Sequence, residues 1–212
     1  MFFIVGLGNP GMEYENTRHN TGRMVLDVFR KAEALPEWSE DRKRKALVSE
    51  GDVNPLDKTR GKKQKVTLLA PETFMNKSGE ALKSLKLTKH NLQQGKKKTK
   101  EITNLVVIHD DLDIPLGSYK ISFNKSSGGH RGVESIMRAL KTEAFTRIRV
   151  GIAPSASAVK KSQDDKTVER QILGRFTDEQ LAALKKIAKQ ISEGLVVLIT
   201  EGREKAMSQY HV

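Results

Sequence analysis

The chain has 212 residues, of which 37% are hydrophobic and 30% charged, so it can bury a sizeable core as one large domain or two small ones. It contains no cysteine, which excludes a disulfide framework, a thiolate nucleophile and a cysteine-ligated zinc site. No apolar run approaches the ~20 residues that a membrane span needs. Met1 leads directly into an apolar segment without a presequence, so we expect no membrane partner and a cytoplasmic or mitochondrial location.

The formal net charge is +12, from 38 lysines and arginines against 26 acidic residues. The excess is clumped at 58–65, at 96–100 and at Lys160-Lys161. Clumped basic charge indicates a polyanionic partner, and nucleic acid is the first candidate. Aromatic residues make up only 5% of the chain, which argues against modules that stack single-stranded bases and favours recognition of backbone and shape.

Apolar segments with strand and helix periods alternate through the first half of the chain. In chain order they predict a strand at 2–5, a helix at 20–34, strands at 46–49 and 66–70, and a helix that begins at Ser78. Asn16 and Thr17 are expected to cap the first helix. The lysine-rich residues 51–64 are predicted to form a mobile polar loop.

The second half continues the alternation. In chain order we predict a solvated connection at 91–103 and strands at 105–108 and 118–123. A helix then follows Gly128-Gly129, and after it come a strand at 147–152, a loop at 153–166 and a helix at 178–199. Thr177-x-x-Gln180 is a capping box at the start of the last helix, and 203–209 add a turn. No linker or repeat interrupts the chain, so we predict one α/β domain over 1–212 with a mixed sheet surrounded by helices.

The first predicted strand breaks into Gly-Leu-Gly-Asn-Pro-Gly at 6–11, which matches the glycine spacing of the dinucleotide-binding fingerprint. That fingerprint requires the helix to begin within the glycines. Here Pro10 and the polar residues 12–18 delay the helix by about two turns. No strand ending in an acidic residue follows at the required ~20 residues. A dinucleotide site is therefore the weaker interpretation.

Polar side chains that suit acyl transfer to water follow several predicted strands. His19 lies at a helix start, where the positive end of the helix favours a neutral ring that can accept a proton from water. Asp110 follows a buried strand and could orient that ring, although strand-end carboxylates are also common in plain turns. Asn9 and Asn76 offer amides for a carbonyl and a water. A base, an aligned water and oxyanion donors are what such a reaction needs.

Another chemistry remains open from the residues alone. The acidic cluster Asp110, Asp111 and Asp113 beside His109 could hold a divalent cation, since hard cations prefer carboxylates. This would suit a metal-dependent phosphoesterase. The sequence has neither Gly-x-Ser-x-Gly nor His-Glu-x-x-His, the signatures of a serine nucleophile elbow and of a zinc protease.

Several motifs occur together in this chain. They are Gly-Leu-Gly-Asn-Pro-Gly at 6–11 followed by Tyr14, Thr-Arg-His-Asn at 17–20, Thr-Phe-Met-Asn-Lys-Ser-Gly at 73–79, Val-Ile-His-Asp-Asp-Leu-Asp at 107–113, Gly-Gly-His-Arg-Gly at 128–132 and Ile-Leu-Gly-Arg-Phe at 172–176. In this order the sequence resembles the bacterial-type peptidyl-tRNA hydrolases over residues 2 to 176. The resemblance implies a twisted mixed sheet wrapped by helices and cleavage of the ester between a peptide and the 3′ ribose of tRNA.

The resemblance also implies roles for individual residues. His19 is the expected general base, and Asp110 orients it and stabilises its charged form. Asn9 and Asn76 position substrate and water, and the first of these asparagines senses a blocked α-amine in the family. No metal or other cofactor is implied, and we expect a monomer. A non-catalytic protein that binds tRNA or the ribosome through the same basic face is the alternative from a different class.

Substrate contacts follow from the same resemblance. Tyr14 and Phe74 are expected to flank the 3′-terminal nucleotide, while Lys120 and Arg149, on adjacent predicted strands, are candidate phosphate contacts chosen mainly for their charge. Arg131 stands where the family pattern has an asparagine, so its role differs from the family's. The lysine-rich stretches at 58–65 and 96–100 look longer than the compact bacterial pattern, which suggests a eukaryotic or organellar relative.

Overall fold

A computed structural model of the chain describes residues 1–57, 62–94, 97–154 and 165–210. Seven of its strands form one sheet: β1 (Phe2–Gly6), β2 (Ser39–Asp41), β3 (Ala46–Val53), β4 (Gln64–Pro71), β7 (Leu105–Pro115), β8 (Tyr119–Phe123) and β9 (Thr146–Ala153). A separate hairpin consists of β5 (Lys89–Gln94) and β6 (Lys97–Ile102).

The strand order in the large sheet is β2-β3-β4-β1-β7-β9-β8. The central strands β4, β1, β7 and β9 run parallel, and β3 and β8 flank them in antiparallel pairs. The predicted mixed sheet is therefore confirmed. Since β1 and β7 are adjacent and parallel, the turn after Gly6 and the carboxylates after Ile108 emerge at the same edge. This edge is where α/β folds place their functional side chains.

Helices cover both faces of the sheet. They are α1 (Thr21–Ala32), α2 (Arg131–Leu140), α3 (Asp165–Leu173), α4 (Asp178–Glu201) and α5 (Arg203–Gln209), together with 3₁₀ segments at Met12–Tyr14, Arg18–Asn20 and Met75–Leu82. One apolar core joins α1, α4 and α5 to the sheet, and a second core joins α2 and the Met75–Leu82 segment to the opposite face. No helix in the described ranges is both long enough and apolar enough to span a bilayer.

Two glycines let α1 approach the sheet edge closely. A Cβ on Gly22 would lie 2.3 Å from the carbonyl oxygen of Ile108, and one on Gly6 would lie 2.5 Å from the carbonyl oxygen of Gly22. No larger residue fits these contacts without moving backbone. The start of α1 is therefore held directly against the middle of β7. Asp110 lies within this strand and does not follow it, as the shorter predicted strand at 105–108 had implied, and the contact brings the turn before α1 next to Asp110.

Several local predictions are wrong. The 91–103 connection is largely the β5–β6 hairpin, whose pairing depends on backbone hydrogen bonds and leaves little periodic signal in a polar segment. The first helix is preceded by a 3₁₀ turn, and the side chain of Thr17 donates to Tyr14 O instead of capping the helix. Ser78 lies inside a 3₁₀ segment and donates to Met75 O.

The predicted loops are only partly described. The 51–64 loop is shorter than expected because β3 continues to Val53 and β4 begins at Gln64; its residues 58–61 lie outside the described residues, as do 155–164 of the loop predicted at 153–166. The predicted capping box at Thr177 and Gln180 is present. The expected turn at 203–209 is the short helix α5.

Candidate active site

A cleft of about 780 Å³ opens at the carboxyl edge of β1 and β7. Its walls come from the turn after β1, the start of the Met75–Leu82 segment, the end of β7, the loop before α2, and α3. Of the predicted site residues, the cleft brings seven together: Asn9, Tyr14, His19, Phe74, Asn76, Asp110 and Arg131.

His19 and Asp110 form a buried pair on the cleft wall. His19 Nδ1 lies 2.9 Å and 3.0 Å from the two carboxylate oxygens of Asp110, and both residues are at most 5% exposed. A carboxylate only accepts, so Nδ1 carries the hydrogen and donates. In the neutral ring Nε2 then keeps its lone pair, and the ring lines the cleft. The predicted pairing of the two side chains is present.

His130 holds Asp110 from the other side, an interaction for which sequence analysis assigned no role. Its Nε2 lies 3.0 Å from Asp110 Oδ1. Its Nδ1 accepts from the backbone N–H groups of Gly132 and Val133 at 3.1 Å and 3.3 Å, which caps α2. Since Nδ1 accepts, Nε2 carries the hydrogen and donates to Asp110. The Gly128-Gly129-His130 helix start was the only sequence signal for this interaction.

The two imidazoles set the ionisation of Asp110. Burial alone would raise the pKa of this carboxyl, but the positive charge that His19 or His130 would carry as an imidazolium and the hydrogen bonds that both rings donate outweigh burial and hold the pKa well below its usual range. Asp110 is therefore a carboxylate at neutral pH. Its negative charge would stabilise an imidazolium on His19 after that ring accepts a proton.

Asn9 lies in the glycine-rich turn, and three residues from outside the turn hold it in place. Its backbone N–H donates to Asn20 Oδ1 at 2.8 Å, and Asn20 Nδ2 donates back to Asn9 O at 3.0 Å. Arg23 also donates to Asn9 O. The side-chain oxygen of Asn9 accepts from Met75 N–H at 2.8 Å, which leaves the amide NH₂ group for an acceptor in the cleft. Asn20 was not among the predicted site residues.

The mouth of the cleft carries aromatic and polar side chains. Phe74 is 58% exposed, and the Tyr14 ring lies edge-on to it with centroids 6.5 Å apart. Asn76 and Arg131 are exposed residues on the facing walls. Arg131 begins α2, beside the positive end of the helix, so it adds a cation to a place that already favours anions.

Lys120 and Arg149 do not line the cleft. They are direct partners on β8 and β9, as the predicted adjacency of their strands required. Lys120 is exposed, whereas Arg149 donates to Asp111 Oδ2 at 2.7 Å. Asp111 thus neutralises much of the charge that Arg149 would offer to a phosphate.

The acidic cluster does not form a joint carboxylate site. Asp110 faces the two imidazoles, while Asp111 binds Arg149 through Oδ2 and accepts from Asp113 N–H through Oδ1. The ligand atoms of His19, Asp110 and His130 lie within 4.8 Å of one another. A cation there would require the lone pair of His130 Nε2, and a proton moved to Nδ1 would then oppose two backbone N–H groups. In the hydrogen-bonded arrangement of this structure, His130 Nε2 donates to Asp110 and offers no lone pair to a metal.

Beneath the wall lies a buried polar layer that the sequence did not reveal. His109 Nδ1 donates to Asp110 O at 2.7 Å, and its ring packs 4.7 Å from that of His130. Burial, the main cause, and then the charge that His130 would carry as an imidazolium and the charge of Arg147 keep the pKa of His109 well below its ordinary value. Arg147 donates to Lys125 O and Ser126 O, both at 2.8 Å. This bond pair anchors the loop that leads to His130.

Helix α3 forms the remaining wall and was also missed. Val168, Ile172 and Leu173 present apolar surface to the cleft, and Glu169 lies among them. The following segment docks on the turn that carries His19: Arg18 N–H donates to Gly174 O at 3.0 Å, and the Arg18 guanidinium lies 5.3 Å from the Phe176 ring centroid. A long-range interaction of this kind leaves no periodic pattern in the sequence.

Fold and cleft define the class of this protein, an α/β enzyme with an imidazole–carboxylate pair at the carboxyl edge of its parallel strands. Residues 3–212 match the profile of the family described as peptidyl-tRNA hydrolase. The chain belongs to this family.

Curated proteins named peptidyl-tRNA hydrolase align with this chain over its whole length. A peptidyl-tRNA hydrolase of Carboxydothermus hydrogenoformans is 38% identical and one of Thermodesulfovibrio yellowstonii is 39% identical; the alignments cover 100% of this chain and 98% and 99% of those proteins. The crystal structure of peptidyl-tRNA hydrolase from Acinetobacter baumannii has a TM-score of 0.79 at 24% identity, covering 100% of this chain and 95% of that one, and shares the fold. These relatives are bacterial and lend no support to a mitochondrial or organellar origin.

Proposed function

We propose that this protein hydrolyses the ester bond between peptide and tRNA in peptidyl-tRNA and so releases free tRNA for translation. Family membership supports the substrate, and the net charge of +12 suits a polyanion. The observation that carries the chemistry is the buried pair of His19 and Asp110, because it leaves Nε2 of the ring with a lone pair on the cleft wall.

In the proposed reaction His19 Nε2 accepts a proton from a water molecule as the water oxygen attacks the ester carbonyl carbon. Asp110 stabilises the imidazolium, and His130 keeps the carboxylate in place. When the tetrahedral intermediate collapses, the bond to the 3′ oxygen of the ribose breaks and the imidazolium returns its proton to that oxygen. The products are a peptide with a free carboxyl group and tRNA with a free 3′ hydroxyl.

The remaining predicted residues take positioning roles in this proposal. The free NH₂ group of Asn9 and the amide of Asn76 are directed at the peptide carbonyl and the water, where fixed donors stabilise a developing oxyanion. Tyr14 and Phe74 provide the surface on which the 3′-terminal base stacks. Arg131 binds a phosphate of the acceptor end, and Lys120 is a more remote phosphate contact, with Arg149 held back by its ion pair.

The proposed reaction uses no metal ion, which rests on the hydrogen-bonding requirement of His130 Nδ1. A second class, a non-catalytic RNA-binding protein, has no observation in its favour, since it would not need a base oriented by a buried carboxylate. The expected monomer and the single catalytic domain over 1–212 stay predictions.

The test is release of N-acetyl-aminoacyl groups from N-acetyl-aminoacyl-tRNA in the presence of a chelator. The wild-type protein should turn over, and His19→Ala should lose ~10²–10⁴ in kcat, the usual contribution of a general base. Binding of tRNA should persist in this variant. His90→Ala, on the exposed strand β5, is the matched control and should match wild type.

Other outcomes identify the alternatives. Loss of turnover with chelator, restored by magnesium, would favour the metal-dependent phosphoesterase. Tight tRNA binding without any ester hydrolysis by the wild-type protein would favour the non-catalytic interpretation. Near wild-type turnover of His19→Ala would remove the proposed base.

A further inference from the structure

A closed circuit of hydrogen bonds surrounds Asn9 and includes an ion pair outside the cleft. Arg23, in the first turn of α1, donates to Asn9 O at 2.9 Å through one terminal nitrogen and pairs with Glu72 through the other. Glu72 directly follows β4 and stands three residues before Met75, whose N–H donates to the Asn9 side chain at 2.8 Å. The circuit therefore joins the backbone of Asn9 to the partner of its side chain. We call Arg23 and Glu72 the Asn9 clamp.

The local structure holds both members of the Asn9 clamp in position. Arg23 N–H donates to Leu7 O at 3.1 Å, and Glu72 N–H donates to Lys45 O at 2.7 Å. A Cβ on Gly8 would lie 2.5 Å from Cδ of Arg23, so any larger residue there would displace the aliphatic stem that crosses the turn. The Arg23 side chain is only 16% exposed, so solvent screens this pair less than a pair at the open surface.

Two different elements hold the two ends of Asn9. Asn20, just before α1, bonds the backbone N–H and C=O groups, whereas the side-chain oxygen depends on Met75 in the segment after β4. The turn after β1 and the segment after β4 leave adjacent parallel strands, and Arg23 bridges them through Glu72. If this bridge is lost, the segment can shift away from the turn, and the amide of Asn9 is then free to rotate.

Rotation of this amide would reverse what it offers to a substrate. With its oxygen on Met75 N–H, Asn9 presents the NH₂ group, which only donates. A blocked α-amine carries an additional carbonyl oxygen that can accept from this group, whereas an unblocked amine is an ammonium that only donates. The rotated amide would instead present its oxygen and accept from the ammonium.

We propose that the Asn9 clamp sets the preference for a blocked α-amine by keeping the NH₂ group of Asn9 toward the cleft. This inference rests on the proposed function, in which that group contacts the peptide. Neither Arg23 nor Glu72 lines the cleft, so both are positioning residues that act through Asn9. The clamp therefore affects recognition of the acyl group and leaves the proton transfer to His19 unchanged.

Three variants separate the bonds of the clamp from its packing. Arg23→Met keeps most of the aliphatic stem and removes both the bond to Asn9 O and the ion pair. Glu72→Met removes only the ion pair. Arg23→Lys keeps a cation that can donate to Asn9 O or to Glu72 but lacks the two-pronged guanidinium, so it should recover part of what Arg23→Met loses.

Lys45→Met is the matched control. It removes an ion pair of 2.7 Å with Glu80, which also anchors the Met75–Leu82 segment but makes no bond to Asn9. Each protein is assayed on N-acetyl-aminoacyl-tRNA and on the same tRNA that bears the unblocked aminoacyl group. The ratio of the two kcat/KM values measures the preference.

Arg23→Met should lower this ratio about tenfold and Glu72→Met about threefold, the usual range for one charged hydrogen bond and one partly exposed ion pair. The Lys45→Met control should keep the wild-type ratio. The pH dependence of kcat/KM should keep its wild-type shape in all variants, because none of them touches His19 or Asp110.

Hydrogen exchange tests the clamp without any substrate. The Met75 N–H is buried and bonded to Asn9 Oδ1, so its exchange reports how firmly the two segments are joined. Exchange at Met75 should become about tenfold faster in Arg23→Met and should stay at the wild-type rate in Lys45→Met.

Four outcomes would overturn the proposal. They are a wild-type ratio in Arg23→Met, an equal fall of the ratio in Lys45→Met, an equal loss of kcat/KM on both substrates, and unchanged exchange at Met75 in Arg23→Met. Failure of the wild-type protein to hydrolyse N-acetyl-aminoacyl-tRNA would refute the proposed function, whereas exchange at Met75 would still test the clamp.

Discussion

Asp110 accepts from two imidazoles at once, and this double role explains why a buried carboxylate is tolerated there. Its Oδ1 faces both His19 and His130, and its Oδ2 faces His19. The pair of donors offsets the cost of removing a charge from water. The next residue, Asp111, accepts from the guanidinium of Arg149 and from the backbone N–H of Asp113. The two neighbouring acids therefore have separate tasks.

Because the two acids have separate tasks, we expect the same change, aspartate to asparagine, to have different effects on kcat at Asp110 and at Asp111. Asp110→Asn removes the negative charge and sets an NH₂ donor against the N–H group of His19, which no longer finds a carboxylate on both sides. We expect a loss of ~10²–10⁴ in kcat because the base is no longer oriented. Asp111→Asn keeps the acceptor for Asp113 N–H and should change kcat by less than about tenfold. Turnover of N-acetyl-aminoacyl-tRNA measures both. Equal losses that magnesium restores would contradict this assignment.

At the scale of elements, the loop between β8 and α2 depends on a buried arginine. Arg147 is 1% exposed, and its two hydrogen bonds hold the carbonyls of Lys125 and Ser126. Burial, the largest cause, and then the nearby charge of Arg149 lower the pKa of Arg147 to about 10, so the side chain stays cationic at neutral pH. The loop ends at His130, and its position therefore fixes the second donor to Asp110.

Removing this support should affect both stability and turnover. Arg147→Met leaves two loop carbonyls without their donor, so we expect a loss of ~2–4 kcal/mol in the free energy of unfolding and a reduced kcat. Arg147→Lys retains a donor and should recover part of kcat. Denaturant unfolding and steady-state kinetics provide the two readouts. A kcat that stays at the wild-type value in folded Arg147→Met would show that the loop needs no such anchor.

For the whole molecule, two buried titratable groups beside the cleft set the response to acid. Asp110 has a lowered pKa, so its contribution is present above the unfolded value of ~3.9 and is lost as the pH falls below it. His109 also has a lowered pKa. The unfolded chain takes up a proton on this residue near pH ~6.5 while the folded chain does not, so stability falls as the pH drops below that value.

His109→Asn tests this pH dependence. The amide retains a donor for Asp110 O but does not titrate, so the variant should lose less stability than wild type between about pH 7 and pH 5. The difference in slope is at most ~1.4 kcal/mol per pH unit for one proton. Denaturant unfolding at several pH values measures it. His90→Asn on exposed β5 is the control and should follow wild type. Parallel stability curves for wild type and His109→Asn would refute the account.

The C-terminal part of the chain completes the cleft from a distance. The residues after α3 return to the turn that carries His19, where Phe176 N–H donates to Asn16 O at 2.9 Å and Arg18 donates to Arg175 O and Gln180. Gln180 also takes part in the capping box of α4. The wall formed by α3 is therefore joined to the same turn as the proposed base.

Local patterns in the amino-acid sequence were enough to predict the sheet, most helices and the pairing of His19 with Asp110. Apolar period and length are local properties, so they survive in the linear order of residues. His19 lies just before a recognisable helix, and Asp110 lies in the continuation of a recognisable apolar strand. The second donor His130, the anchor Arg147 and the wall from α3 became visible only in the folded chain. Each of these depends on contacts between residues far apart in the sequence, where burial and hydrogen-bond geometry, which no local pattern encodes, select the partner.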